Sequence, residues 1–445
     1  MNKTIALFVM LLCGLVASAA DFVGHWKGKV ANLPIVFHVA NDSVWSATLD
    51  SPMQGAMDIP CGKVTVKGDT IEIDMPALRA NYKGVITQDD KSIIGTFTQG
   101  MSLPLTLSRT TAEAALLNRP QEPQPPFIYK VQDVTFKNGD LAFAGTLTIP
   151  IIGGKHKAVV LVSGSGAQNR DEELMGHKPF AVIADYLTRH GIAVLRYDDR
   201  GVGGSSCGSA DDTSLDYATD AMAAINYLKS RNDIDTTHIG IIGHSEGGLI
   251  ALINAAEHPD DVDFIITLAG PYVKGKDILI KQNHLIAEFA GVPLSAQQSH
   301  DVDVIFEAID NSTDLTQLAT QLTEIMSATG NHSAEEIAQS VKVMTSPWYV
   351  AFIKLDPAKY LPKVKCPVLA LNGLWDFQVD ATQNLEVARV AIPTATVKYY
   401  DGLNHLFQPA PSRQASLNYG AIETTISEQV LKDMVEWIIM KRCPV

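Results

Sequence analysis

Ile239-Gly240-Ile241-Ile242-Gly243-His244-Ser245-Glu246-Gly247-Gly248-Leu249 is a short, β-branched apolar run that passes through Gly-x-Ser-x-Gly into an alanine-rich segment. The pattern predicts a strand over Ile239–Ile242, a sharp turn at Ser245 and a helix over Leu249–Ala256. In such a strand-to-helix elbow the serine is held in a strained turn. Small residues two before and two after it, here Gly243 and Gly247, let strand and helix crowd together. Ser245 is therefore the candidate nucleophile.

Outward from the elbow the chain alternates. Apolar runs with little polar alternation fall at Ala158–Val162, Ile192–Leu195, Phe264–Leu268, Val368–Leu371 and Val397–Tyr400. Helical periodicity falls at Phe180–His190, Leu215–Ser230, Gly247–His258 and Ser427–Lys441. Buried strands joined by crossover helices predict an α/β fold, a mostly parallel sheet with helices on both faces. Tyr129–Phe136 and Leu141–Ile149, joined across Asn138-Gly139, predict an antiparallel hairpin at its start. The alternation stops at about 272–360, where the sequence is amphipathic and helical. It reads as a helical cap inserted at the carboxyl ends of the strands, where ligands bind.

The amino-terminal part differs. Lys3, the apolar run Ile5–Val16 and Ser18-Ala19-Ala20 predict a signal peptide over 1–20, and hence an exported protein, periplasmic or secreted. A lipoprotein anchor at Cys13 is disfavoured, because Leu12 stands where a small residue is needed. Residues 21–110 contain short alternating runs broken by Gly68-Asp69 and Asp89-Asp90, a series of β-hairpins. Phe22-Val23-Gly24-His25-Trp26 resembles the Gly-x-Trp opening of lipocalin-like meander barrels, with Trp26 as a core plug. Residues 111–127, with the run Arg119-Pro-Gln-Glu-Pro-Gln-Pro-Pro126, read as a stiff linker to a domain over 128–445.

Composition excludes some classes. With 49 acidic against 35 basic residues the net charge is −14, which repels phosphate backbones and anionic lipid, so no nucleic-acid partner is expected. After the leader no apolar run reaches the ~20 residues of a membrane span. Cys61, Cys207, Cys366 and Cys443 form no CxxC pair. On the predicted fold Cys366 and Cys443 meet at one edge of the sheet and are the pairing to test for a disulfide.

A serine needs a base and an orienting carboxylate. His405, in Tyr400-Asp-Gly-Leu-Asn404-His405 after the last strand, is the expected base; His177 is the other candidate. His244 should point away from the serine, and His25 and His38 belong to the β-domain. Asp376, on the loop after Val368–Leu371, is the expected carboxylate, whereas Asp380 precedes a helix-like run and suits an N-cap. The order Ser245, Asp376, His405 fits α/β-hydrolases. The oxyanion donors should be the backbone N–H groups of Glu246 and of Ser165, in Ser163-Gly-Ser-Gly-Ala167, with Gly166 possible in place of Ser165.

Three stretches now carry a family resemblance: Ser163-Gly-Ser-Gly followed by Asn169-Arg-Asp-Glu172, Arg196-Tyr-Asp-Asp-Arg200-Gly-Val-Gly-Gly-Ser205, and Gly243-His-Ser-Glu-Gly247. From about Tyr129 to Met440 the chain resembles α/β-hydrolases of the bacterial EstD-type carboxylesterases. The resemblance implies hydrolysis of carboxylic esters, commonly with short acyl chains, and no metal or organic cofactor; Arg200 and Asp171 would order loops. Two alternatives stay open. One is a serine peptidase of the same fold, with Glu335-Glu336 as an anchor for a substrate amino group. The other is a non-catalytic glycan or lipid binder. The sequence sets neither the acyl and alcohol pockets nor an oligomeric state.

Overall fold

The computed structural model describes residues 21–30, 33–51, 56–111, 118–329 and 333–440. The expected leader, residues 112–117 of the linker and Cys443 lie outside the described residues, so the Cys366 pairing does too. The chain divides into two compact units, 1–117 and 118–445.

In the first unit the described residues form nine strands: β1 Gly24–Val30, β2 Leu33–Asn41, β3 Trp45–Ser51, β4 Ala56–Pro60, β5 Val64–Lys67, β6 Thr70–Met75, β7 Ala80–Ile86, β8 Ser92–Gln99 and β9 Met101–Thr110. The sheet order is β4-β3-β2-β1-β9-β8-β7-β6-β5, so the first strand pairs with the last and the meander curls into an open half-barrel parted between β4 and β5. Alternate residues face its interior, where Trp26, Phe37, Ile71, Tyr82 and Leu107 are fully buried. Trp26 is the expected plug. Its indole N–H donates to the Phe22 carbonyl at 2.7 Å, and the Arg109 guanidinium lies 4.3 Å from the ring centre.

The second unit is built on an eight-stranded sheet: β10 Lys130–Asn138, β11 Leu141–Ile149, β12 His156–Val162, β13 Ala193–Tyr197, β14 Ile234–His244, β15 Phe264–Leu268, β16 Val368–Gly373 and β17 Ala395–Tyr400. Their order is β10-β11-β13-β12-β14-β15-β16-β17. The hairpin β10–β11 joins β13 antiparallel, and every pairing beyond is parallel. The continuous apolar strands are explained by burial on both faces. Along β12, Val160 and Val162 enter one core, beneath helices Ser214–Lys229 and Glu246–Glu257. Val159 and Leu161 enter the other, beneath Pro179–Arg189 and Glu428–Met440. β14 starts earlier than the expected Ile239, because Ile234 also pairs with His156 across a register shift.

Between β15 and β16 the expected cap is present and helical, with Gly275–Phe289, Ala296–Asn311, Leu315–Thr329 and Ala334–Met344. It has a core of its own around Phe306, Ile309, Leu318 and Leu322. A further helix, Pro347–Lys354, is absent from the sequence reading, although Ser346 as N-cap and Pro347 at the first turn signal it.

The proline-rich stretch also differs from a plain spacer. It forms neither helix nor ladder, but it belongs to the second unit and is bonded to loops of that unit. The Arg119 guanidinium donates to the carbonyls of Gly176, Gly420 and Ile422. The Gln121 side-chain oxygen accepts the N–H groups of Thr425 and Ile426. A guanidinium carries five donors in a rigid fork, which suits a cluster of loop carbonyls.

Candidate active site

Ser245 sits where β14 ends and helix Glu246–Glu257 begins, with φ 52° and ψ −121°. A non-glycine residue at positive φ is strained, and close packing holds this one in place. A Cβ on Gly243 would lie 1.9 Å from the Gly247 carbonyl oxygen, and one on Gly247 would lie 2.1 Å from that of Val162. The Ser245 N–H donates to Leu268 O at 2.8 Å, fastening the elbow to β15. Only glycines allow this crossing, which lifts the serine clear of the sheet at its carboxyl edge.

The loops after β16 and β17 meet at that edge. His405 Nδ1 donates to Asp376 Oδ2 at 2.7 Å, with the two side chains 4% and 0% exposed. Asp376 Oδ1 is occupied by the N–H groups of Gln378 and Val379 at 2.8 and 2.9 Å, so the carboxylate cannot swing. Asn404 locks the histidine loop by accepting the N–H groups of Leu406 and Gln408. This leaves Nε2 of His405 as the nitrogen to exchange a proton. Asp380 does cap helix Ala381–Ala391, accepting Gln383 N–H at 2.6 Å.

The loop after β12 closes on the elbow from the other side. A Cβ on Gly164 would lie 3.1 Å from Ser245 Cβ, and Ser165 and Ser245 line one cavity of about 180 Å³ with Ile278, Trp348, Phe352 and Val379. Glu246, whose N–H is an expected oxyanion donor, has its side chain turned inward. Its Oε1 accepts from Ser214 Oγ at 2.5 Å and from the Trp348 indole at 2.9 Å. Burial pushes its carboxyl above the usual range despite these bonds.

The other candidates stand elsewhere. His177 is fully buried against Thr425, Tyr419 and Gln408, and desolvation, with Arg119 nearby, pulls it down to about 4. His244 points away from the serine, toward Glu172 and the His405 carbonyl. Arg200 pairs with Asp220 and Asp212, and Asp171 with Arg196. Glu335 and Glu336 lie in the exposed first turn of a cap helix, where Glu336 forms a capping box with Ser333. His25 and His38 lie in the first unit, on β1 and β2. The sequence reading did not single out Trp348 or the side chain of Glu172. Glu172 does fall within the Asn169–Glu172 run quoted for the family resemblance.

A nucleophile elbow, a buried Asp–His pair and a close backbone loop, all at the carboxyl edge of a parallel sheet, can perform acyl transfer. The profile of the serine aminopeptidase S33 family matches residues 157–408, the whole span from β12 to the histidine loop. Esterase EstD of Thermotoga maritima is 24% identical over 322 residues, 71% of this chain and 68% of its own length. The acyl transferase of Photobacterium leiognathi is 32% identical over 117 residues, which is 26% of this chain and 33% of the transferase. Among solved structures, an esterase of Pyrococcus furiosus superposes with a TM-score of 0.44 at 16% identity, covering 73% of this chain and 97% of that one. With more than half of its length under the family profile, the chain is an esterase-like α/β-hydrolase and belongs to the serine aminopeptidase S33 family.

Proposed function

We propose that the protein is a serine carboxylesterase that cleaves short-chain acyl esters through an acyl-enzyme. The observation that carries this reading is the buried 2.7 Å bond between Asp376 and His405 at the strand edge that carries Ser245. His405 Nε2 takes the Ser245 proton as Oγ attacks the ester carbonyl, while the N–H groups of Glu246 and Ser165 receive the oxyanion. Each such donor is worth about 2.7–4 kcal/mol in serine hydrolases. His405 then protonates the departing alcohol, and water cleaves the acyl-enzyme by the same route in reverse roles. Asp376 holds the imidazole tautomer and stabilises the imidazolium. A cavity of about 180 Å³ walled by Trp348, Tyr349 and Phe352 supports a small acyl group. The name of the family favours a second reading, a serine aminopeptidase, for which Glu335 and Glu336 offer no enclosed anchor. Export, to the periplasm or beyond, belongs to the same proposal and rests on residues 1–20 of the sequence.

Hydrolysis of p-nitrophenyl acetate and fluorophosphonate labelling, both lost in Ser245→Ala, are the expected results. Activity that survives the substitution would end the proposal. Faster turnover of aminoacyl-amides than of acyl esters would replace it with the peptidase reading.

A further inference from the structure

Glu172 has no part in the chemistry above, yet it is a carboxylate only 1% exposed. Its Oε1 accepts the Gly164 N–H at 2.7 Å and lies 2.8 Å from Nδ1 of His244. The other ring nitrogen, Nε2, is 3.1 Å from the carbonyl oxygen of His405. A carboxylate and a carbonyl only accept, so an imidazole between them bonds to both through its own hydrogens only when both nitrogens carry one. A proton moved to Glu172 would sit on the same Oε1 that already accepts the Gly164 N–H. The arrangement therefore favours a carboxylate facing an imidazolium.

The surroundings agree. Burial, the largest single influence, pulls the His244 pKa down, but the charge and hydrogen bond of Glu172, the hydrogen bond to the His405 carbonyl and, least, the charge of Asp376 together leave it raised. The His405 ring is 4.7 Å away, centre to centre. The remaining wall, from Phe180, Leu268, Leu406 and Phe407, is apolar. Without Glu172, only the His405 carbonyl and the weaker push of Asp376 would act against the burial of the cation.

We infer that Glu172 and His244 are positioning residues, a carboxylate–imidazolium clasp that binds the loop after β12, the end of β14 and the loop after β17 into one body. The inference rests on the proposed ester hydrolysis. The clasp ties Gly164, next to the expected oxyanion donor, to the residue before the nucleophile and to the backbone of the base. If Glu172 loses its charge, burial governs His244, which then gives up its second proton below the ordinary histidine range. A neutral imidazole carries one ring hydrogen, so the clasp loses one of its bonds, to Gly164, to residue 172 or to the His405 carbonyl, and the loops it joins shift against Ser245.

The test uses the full chain and p-nitrophenyl acetate. Glu172→Gln keeps size and an acceptor oxygen but removes the charge. It is expected to lower kcat about ten- to a hundredfold, as small misplacements do, with KM within about twofold. Relative to wild type, the kcat deficit should be full above about pH 6.5 and should shrink as the pH falls below it and His244 regains its second proton. A wild-type pH profile in this variant overturns the inference. If the variant does not fold, the wild-type protein decides by ¹⁵N-histidine NMR at pH 8. One imidazole with both nitrogens protonated, missing in His244→Gln, supports the clasp, and its absence overturns it. Full activity in Ser245→Ala would instead overturn the esterase reading while leaving that resonance in place.

Discussion

Trp348, on the last helix of the cap, donates its indole N–H to the carboxylate of Glu246, the residue that follows Ser245, at 2.9 Å. The bond joins the insertion to the elbow at the position whose backbone N–H is proposed to receive the oxyanion. Trp348→Phe keeps the aromatic wall but strips a donor from a buried acid already pushed above its usual range. The expected cost is about 1–3 kcal/mol of stability and a drop in kcat of about tenfold. Thermal melts read beside initial rates test this; unchanged values for both would mean the bond is idle.

Asp376 and Asp380 are four residues apart and have different tasks. Asp376→Asn retains the shape but presents the wrong partner to His405 Nδ1, and kcat should fall on the order of 10⁴-fold. Asp380→Ala removes a helix cap and a long, partly exposed ion pair with Lys281 at 4.0 Å, costing about 1 kcal/mol with kcat intact. Equal kinetic losses in the two variants would refute the assignment of Asp376.

Gly247 and Gly68 separate crowding from backbone strain. A methyl on Gly247 would meet the carbonyls of Val162 and Ser163 at 2.1 and 2.6 Å, so Gly247→Ala should destabilise by about 3 kcal/mol or more and abolish turnover. Gly68 has φ +61° with open space around it; Gly68→Ala should cost roughly 1–2 kcal/mol and leave turnover unchanged. Chemical denaturation of both variants makes the comparison.

His177 predicts a pH dependence of stability. In the folded state it is held down to about 4 by burial and by Arg119, whereas an unfolded histidine titrates near 6.5. Between those values the unfolded chain binds the extra proton, so stability is full above about pH 6.5 and is lost as pH falls toward 4. The slope approaches about 1.4 kcal/mol per pH unit. His177→Gln should flatten that limb in urea titrations between pH 4 and 7, with kcat at neutral pH unaltered. A limb of unchanged slope would remove His177 as its source.

Much of the architecture is legible along the chain because it is dictated locally. Ala158–Val162 is an uninterrupted apolar run because the sheet is covered on both faces, and Asn138-Gly139 marks the first hairpin because Gly139 adopts φ +57°. The elbow announces itself because glycines must flank Ser245. Other features have no local signal. The pairing of β1 with β9 brings His25 to Thr110, and Arg119 folds back onto carbonyls about three hundred residues ahead, with a separation of 303 to Ile422.

The sequence by itself determined the parallel sheet, the cap, the elbow serine and the strand-end loops that carry Asp376 and His405, since periodicity, glycine spacing and turn residues act within a few positions of one another. Only the tertiary structure decided what supports them. Glu172 reaches His244 across 72 residues and Trp348 reaches Glu246 across 102. A buried charge finds its partner through the three-dimensional packing of loops, and no local pattern in the chain encodes that meeting.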